Sequence, residues 1–187
     1  FPFSFRRTPT ELIFSVAQIK KACALAHGKA GDINKRIATA IAKACDEIIT
    51  GKMNAQFILP GFQGGAGTSN HMNVNEVIAS RATEILKNSV SVHANDHVNL
   101  SHSTNDVMHS AIKLASFRLS QNIIQASKNL IAIFLQKAKE FKSIPKLSRT
   151  HLQDAVPTTL GAEFKAWAEV LIRRQKNLQL NAYQLLE

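Results

Sequence analysis

Three segments of the chain are rich in small hydroxyl and amide side chains beside candidate helix starts. They cover residues 64–73, 93–106 and 148–157. A helix N-terminus presents unpaired N–H groups and a partial positive charge, so it favours an anion. Hydroxyl and amide side chains at the same place add further donors. These segments therefore have the chemistry to hold a carboxylate without a metal ion.

The second segment carries this pattern most clearly. Ser103, Thr104 and Asn105 stand where a long helix is predicted to begin, so their side chains and backbone N–H groups can surround one carboxylate. The glycines of the first segment would let the backbone approach a ligand closely. However, Ser, Thr and Asn are also the preferred caps and turn residues, and capping needs no ligand. The residue types alone leave both interpretations open.

Histidines are frequent in and near the second segment: His93, His97, His102 and His109. No Cys accompanies them, and an irregular segment does not place them on one helical face. Structural zinc sites use four well-spaced ligands, so we predict no metal and no other cofactor. In the third segment His151 lies beside Thr150, with Asp154 three residues further on. A capping or core role for His151 fits this pattern as well as a catalytic one.

Helical periodicity dominates the rest of the chain. The pattern predicts a first helix capped by Thr8 with Pro9 in its first turn, a second capped by Asp32, and a third from about residue 75 to residue 87. The predicted second helix has an apolar face made of Ile33, Ile37, Ile41, Ala44 and Ile48. No segment predicts a sheet.

The longest predicted helix covers residues 105–142, which contain neither Gly nor Pro. At 1.5 Å per residue it would span roughly 55 Å. Its apolar residues form more than one stripe, so it needs neighbours on several sides, as in a helical bundle. A last helix follows Pro157. We therefore predict an all-α fold, with an N-terminal helical domain at 1–104 and part of a central helical bundle at 105–187.

The charge balance is strongly basic, with 23 Lys and Arg against 13 Asp and Glu and a formal net charge of +10. The basic residues are dispersed, without the clustered patch that nucleic-acid binding requires, so we predict no nucleic-acid partner. A field that attracts small dianions fits equally well. Cys23 and Cys45 lie on apolar helix sides and are predicted to be buried thiols. No apolar run spans a bilayer and no signal peptide is recognised, so we predict no membrane partner and a cytoplasmic location.

Two strings are specific enough to suggest a family: Met-Asn-Val-Asn-Glu-Val-Ile-Ala at 72–79 and Gln-Asp-Ala-Val-Pro at 153–157. With the three polar segments they resemble the signatures of the fumarase/aspartase superfamily over nearly the whole chain. Members reversibly eliminate a group from a succinyl substrate to give fumarate. The resemblance implies a small dicarboxylate substrate and a homotetramer whose active sites combine segments from three subunits.

The resemblance also implies roles for individual residues. Substrate carboxylates would be held by Thr68, Ser103, Thr104 and Asn105. Thr150 and His151 would contact the other end of the substrate, where charge accumulates, and are the catalytic candidates. Three further residues, His93, Asn95 and Asp96, match a second anion site of the related fumarases. The resemblance allows such a site here.

Within the superfamily, the Gly-Gly-Ala-Gly-Thr-Ser string at 64–69 and the Ser-Thr-Asn-Asp string at 103–106 are more similar to aspartases than to class II fumarases. We therefore predict an ammonia-lyase that converts L-aspartate to fumarate and ammonia. A class II fumarase and a non-catalytic helical remnant are the alternatives.

Departures from the family pattern motivate the last alternative: His71, Ala94 and His102 replace the usual Asn, Pro and Gln. The family's third signature, the loop that supplies the serine base, is absent from these 187 residues. We therefore expect a fragment that lacks the C-terminal part and is inactive by itself.

Overall fold

The computed structural model describes residues 6–61 and 65–187. Helices make up 69% of the structure, which confirms the predicted mostly helical fold class. The chain divides into two compact units, Phe1–Ala115 and Ser116–Glu187. The domain boundary expected between residues 104 and 105 stays a prediction. Within the described ranges, no helix combines the length and the apolar character needed to cross a membrane.

Three helices build the core of the first unit: α1 (Thr10–Ala30), α2 (Lys35–Ile49) and α3 (Thr68–Ile85). The predicted apolar face of the α2 region is buried at all five positions, as its helical spacing requires. Gly28 lets α1 approach α2 closely, because a Cβ at this position would lie 2.5 Å from the Cβ of Ala38. The core therefore lies mainly between α1 and α2, with α3 packed against α2.

The predicted caps of α1 and α2 are both wrong. Pro9 is the N-cap of α1 and no side chain caps that helix. Thr8 is buried, and its hydroxyl donates to Asn70 Oδ1 at 2.6 Å. For α2 the cap is Asn34 rather than Asp32. The partner of Thr8 lies 62 residues away, where helix-start patterns cannot detect it. At α2 the error is local, because Asn34 accepts from the Arg36 N–H at 2.8 Å while Asp32 bonds to His27.

An ion pair joins α2 to α3. The Arg81 guanidinium donates to both carboxylate oxygens of Glu47, from Nε at 2.7 Å and from Nη2 at 3.0 Å, and its Nη1 donates to Glu84 at 2.7 Å. A planar guanidinium matches a carboxylate in this two-point geometry. The hydrogen bonds from Arg81 hold the pKa of Glu47 below its usual value.

This ion pair predicts a pH-dependent contribution to stability. A carboxyl whose pKa is lower in the folded than in the unfolded state stabilises the fold above its unfolded pKa, and that contribution is lost as the pH falls through the folded pKa. We expect Glu47→Gln to unfold at lower urea concentration than the wild-type chain at pH 7, and the difference to disappear in acid. Urea titrations across pH test this, with exposed Glu76→Gln as control. A difference that is independent of pH would contradict it.

Irregular segments link these helices. A 3₁₀ turn at Asn54–Gln56 follows α2, and a π-helical turn at Ala94–Val98 precedes α4 (Thr104–Glu140). The α4 helix is the long helix predicted from the absence of Gly and Pro. The segment before it was expected to be irregular, and the π-helical turn is a local departure from that prediction.

The second unit contains β1 (Pro145–Thr150), β2 (Gln153–Thr159) and α5 (Leu160–Gln184). The two strands form an antiparallel hairpin in which Thr150 pairs with Gln153. This hairpin was not predicted, because its residues are mostly exposed and give no clear alternation of apolar and polar positions. Its two-residue turn has positive φ at His151 (47°) and Leu152 (62°), where Gly or Asn would be the usual signal.

Candidate active site

The start of α4 forms a reciprocal cap. Ser103 Oγ accepts from the Asn105 N–H at 3.2 Å, and the Asp106 carboxylate accepts from the Ser103 N–H at 3.0 Å. This arrangement is a capping box, with Asp106 at the third helical position. The capping interpretation of this segment is therefore correct for Ser103. It does not exclude a ligand, since Ser103 and Asn105 are exposed and their donors lie at the positive end of the helix.

The start of α3 lies against the start of α4. Gly67 (φ 89°) is the N-cap of α3, and a Cβ on it would lie 2.9 Å from Met108 Cε in the first turns of α4. His71 Nδ1 is 3.0 Å from Thr104 Oγ1. The structure thus brings two predicted polar segments together as neighbouring helix starts. Thr68 is the exposed first residue of α3, so this helix begins earlier than the predicted residue 75.

His71 replaces the family's usual Asn without leaving the core. It is 1% exposed, and burial first, then the neighbouring Lys20 ammonium and the His102 ring, lowers its pKa to about 4. The ring is therefore neutral at pH 7. Among the described residues, its Nε2 and the Asn75 Oδ1 one turn further on are buried without a hydrogen-bond partner. Buried polar atoms without partners are uncommon in native structures.

A buried lysine contacts the segment that leads into α4. Lys20 of α1 is 0% exposed, and its Nζ donates to Asn99 Oδ1 at 2.7 Å. The same Nζ is 3.2 Å from Nδ1 of His102. Burial lowers the pKa of Lys20 to about 8, and it also lowers the pKa of His102. His71 and His102, the two histidines that depart from the family pattern, therefore both lie at the start of α4, where His71 contacts Thr104 and His102 precedes Ser103.

Sequence reasoning missed Lys20. The available signal was its position four residues after Val16 and four before Ala24, both buried on the core face of α1. A lysine at a core position of an amphipathic helix needs a specific partner, because a buried charge is costly unless it is hydrogen-bonded. The partners themselves lie about 80 residues away, at separations of 79 and 82.

The residues of the possible second anion site share one turn. His93 caps the π-helical turn, with its Nδ1 accepting from the Asp96 N–H at 3.3 Å and lying 3.2 Å from Asp96 Oδ2. Asn95 is exposed between them, and His97 Nδ1 accepts from the His93 N–H at 2.8 Å. The turn is built by these local contacts, and the assignment as an anion site stays a prediction. Across residues 6–61 and 65–187, no three His, Cys, Asp or Glu side chains are grouped to hold a metal ion.

Thr150 and His151 belong to the second unit, at the end of β1 and in the tight turn of the hairpin. Both are exposed. The flanking strands hold the turn through the pairing of Thr150 with Gln153 and a bond from the Ser148 hydroxyl to the Val156 carbonyl at 2.8 Å. The hairpin therefore displays a threonine hydroxyl and an imidazole at an exposed tip, where they can meet a ligand.

The chain is largely helical, and the polar starts of α3 and α4 suit a carboxylate ligand. A family model described as "Lyase" matches residues 5–186. The chain therefore belongs to this lyase family, the fumarase/aspartase superfamily, as its motifs predicted.

Individual relatives agree with this assignment. Aspartate ammonia-lyase of a Bacillus species is 44% identical over 99% of the chain and 41% of its own length. Class II fumarate hydratase of Campylobacter jejuni is 42% identical over 95% of the chain and 40% of its own length. The crystal structure of a fumarate lyase:delta crystallin from Brucella melitensis matches with a TM-score of 0.91 at 44% identity, over all of this chain and 45% of that one. The chain spans about two fifths of the length of these curated relatives.

Proposed function

We propose that this chain is part of an aspartate ammonia-lyase, which eliminates ammonia from L-aspartate to give fumarate. The observation that carries the proposal is the contact between His71 and Thr104, which joins the starts of α3 and α4. Two neighbouring helix N-termini with exposed hydroxyl and amide groups suit one carboxylate of a dicarboxylic acid. The Gly-Ala-Gly-Thr-Ser string at residues 65–69 favours the aspartase over the fumarase assignment.

The difficult part of the proposed reaction is to stabilise an extra negative charge, which requires hydrogen-bond donors. A base removes a proton from the carbon beside one carboxylate, which becomes a dianion, and the C–N bond on the neighbouring carbon then breaks to give ammonia and fumarate. Preorganised donors that face the extra charge account for much of the rate in reactions of this type. We assign Thr150 and His151 as the residues that contact the carboxylate on which the extra charge develops. The other carboxylate is assigned to four residues: Thr68, Ser103, Thr104 and Asn105. By family resemblance the base is a serine outside these 187 residues.

The proposed enzyme is a homotetramer, because the family builds each site from three subunits. Apolar side chains of α4 and α5 support this assignment: Ile123 is 58% exposed, Ile133 is 53% exposed and Leu180 is 57% exposed. Exposed apolar surface of this extent is typical of protein interfaces. A cytoplasmic location is part of the proposal, and the free thiols of Cys23 and Cys45 suit a reducing compartment.

A class II fumarase is the second candidate. The Thr-His-Leu-Gln-Asp string at residues 150–154 also resembles fumarases, and the Campylobacter jejuni fumarate hydratase is nearly as similar as the Bacillus ammonia-lyase. Both enzymes give fumarate, so they share the proposed carboxylate contacts and differ in the leaving group. Substrate preference therefore requires a direct assay.

We expect the complete enzyme to release fumarate from L-aspartate and not from L-malate, as followed by the ultraviolet absorbance of fumarate. The 187-residue chain alone should be inactive with both substrates, because the serine loop is not in its sequence. Activity with malate alone would replace the aspartase assignment by the fumarase assignment. Turnover by the isolated chain would contradict the placement of the base, and a complete protein inactive with both would favour the non-catalytic alternative.

A further inference from the structure

The buried ammonium group of Lys20 is bound by neutral partners. Its Nζ donates to the Asn99 amide oxygen and contacts a ring nitrogen of His102. A fully buried lysine is rare unless it is paired, because desolvation disfavours the charged form. Among the described residues, those that interact electrostatically with Lys20 include the thiols of Cys23 and Cys45 and the rings of His71 and His102. Keeping a cation here suggests a role beyond filling the core.

The contacts of Lys20 hold both ends of the short segment 99–102. Its Nζ binds the side chains of Asn99 and His102, and Asn99 Nδ2 donates back to the His102 carbonyl at 3.2 Å. Within the segment Ser101 has a φ of 61°, a left-handed conformation that costs energy in a residue other than Gly. Surrounding contacts must maintain such a conformation. The Lys20 bonds are in position to do so, together with the packing of Leu100 against the core and the His27 ring, whose centroid lies 6.0 Å from that of His102.

The held segment leads directly into the proposed carboxylate site. His102 precedes Ser103, the N-cap of α4, and His71 Nδ1 lies 3.0 Å from the hydroxyl of Thr104, the next residue. A shift of the segment would therefore move the cap and the first N–H groups of the helix. The Lys20 charge also lies 3.2 Å from the ring of His102, the residue before the N-cap, so it adds to the positive potential near this helix start.

We propose that Lys20 is a positioning residue, which holds residues 99–102 through Asn99 and His102 and thereby sets the geometry of the α4 start that binds a substrate carboxylate. The statement that the α4 start binds a substrate carboxylate rests on the proposed function. The statement that Lys20 positions this helix start rests only on the contacts of Lys20. Since the ammonium donates to Nδ1 of His102, the neutral ring carries its proton on Nε2. The proposal therefore predicts that Lys20 fixes His102 in the tautomer protonated on Nε2.

The first test uses the 187-residue chain labelled with ¹⁵N-histidine. Nitrogen chemical shifts at pH 7 should show His102 with an unprotonated Nδ1 in the wild-type chain. In Lys20→Met, which has similar length but no donor, this single tautomer should be lost. The amides of His102, Asp106 and Val107 should then exchange about tenfold faster or more, because the segment is released. Lys21→Met is the matched control, since Lys21 is adjacent and pairs with Asp46 at the surface.

Two results would overturn the positioning role. One is a wild-type His102 with its proton on Nδ1, which is independent of whether any variant folds. The other is a folded Lys20→Met chain with the wild-type tautomer and exchange rates. Circular dichroism establishes folding of the variant, so a general loss of structure is not mistaken for local release.

The second test concerns the complete enzyme. Lys20→Met should raise the KM for aspartate about tenfold or more while changing kcat less, because the misplaced helix start binds the carboxylate poorly in every state of the reaction. Lys20→Arg should restore part of the KM, and Lys21→Met should behave as wild type. A core-filling lysine would lower the yield of folded enzyme and leave KM unchanged, which would overturn the proposal. An enzyme inactive even as wild type would refute the proposed function, while the histidine spectra would still decide the positioning role.

Discussion

Thr104→Val in the complete enzyme should reduce kcat/KM for aspartate by about 10²- to 10³-fold, the range found when one preorganised donor to a charged group is removed. Valine has nearly the same shape as threonine, so the backbone of α4 and its N–H groups should stay in place. The variant removes the hydroxyl that lies 3.0 Å from His71 Nδ1 at the junction of α3 and α4. It therefore tests the single contact on which the proposed function depends most.

The stability of the Thr104 variant separates chemistry from folding. Losing the hydroxyl leaves the buried His71 ring without its partner at Nδ1, which should cost about 1–3 kcal/mol of unfolding free energy. Thr39→Val is the matched control, because Thr39 is an exposed helical threonine whose hydroxyl donates to the Lys35 carbonyl. The control should keep full activity. A Thr104→Val enzyme that is folded and has wild-type kcat/KM would remove Thr104 from the site.

Gly161→Ala should destabilise the second unit by about 3 kcal/mol or more, at the upper end of the cost of overpacking. Gly161 is buried at the start of α5, against the last turn of α4. A Cβ on it would lie 2.5 Å from the Ala138 carbonyl oxygen and 2.6 Å from the Cα of Lys142. These are backbone atoms, so no side-chain rotation can relieve the contact. The Gly161 N–H also donates to the Phe141 carbonyl at 3.0 Å, which an outward shift of α5 would break.

Trp167 provides the measurement for this prediction. It is the single tryptophan of the chain and packs against Phe164, with ring centroids 5.0 Å apart, and Phe134, at 5.8 Å. Urea unfolding followed by its fluorescence therefore reports on the contact between α4 and α5. Ala166→Gly is the control, since Ala166 is exposed on the same helix and should cost only about 1 kcal/mol. A Gly161→Ala chain as stable as this control would show that the close approach of the helices is not required.

The Gly161 contact also matters for function, because the hairpin that carries Thr150 and His151 connects α4 to α5. The Leu160 N–H donates to the Ile144 carbonyl at 2.9 Å, which closes the base of the hairpin. Loss of the helix contact should therefore release the hairpin. In the complete enzyme, Gly161→Ala should lose activity together with stability, whereas Thr104→Val should lose activity to a greater extent than stability.

The sequence by itself determined which regions are helical, though not every helix start, together with the family and the polar segments. These features depend on local patterns: the buried α2 face on helical spacing, and α4 on an uninterrupted run without Gly or Pro. The capping box at Ser103 is equally local, since its partners Asn105 and Asp106 lie within three residues. Short-range geometry is encoded in neighbouring residues, so it could be predicted.

Only the tertiary structure decided which of these groups meet. Three contacts join residues that are far apart in the sequence: Lys20 with His102, 82 residues apart, Thr8 with Asn70, 62 apart, and His71 with Thr104, 33 apart. Such pairs depend on how the helices pack, which periodicity does not specify. The hairpin at Thr150 was missed for a related reason: its exposed strands are held by backbone pairing rather than by a buried face. The residue types therefore predicted the groups that can bind a carboxylate. The contacts that hold those groups in place form only when the helices pack.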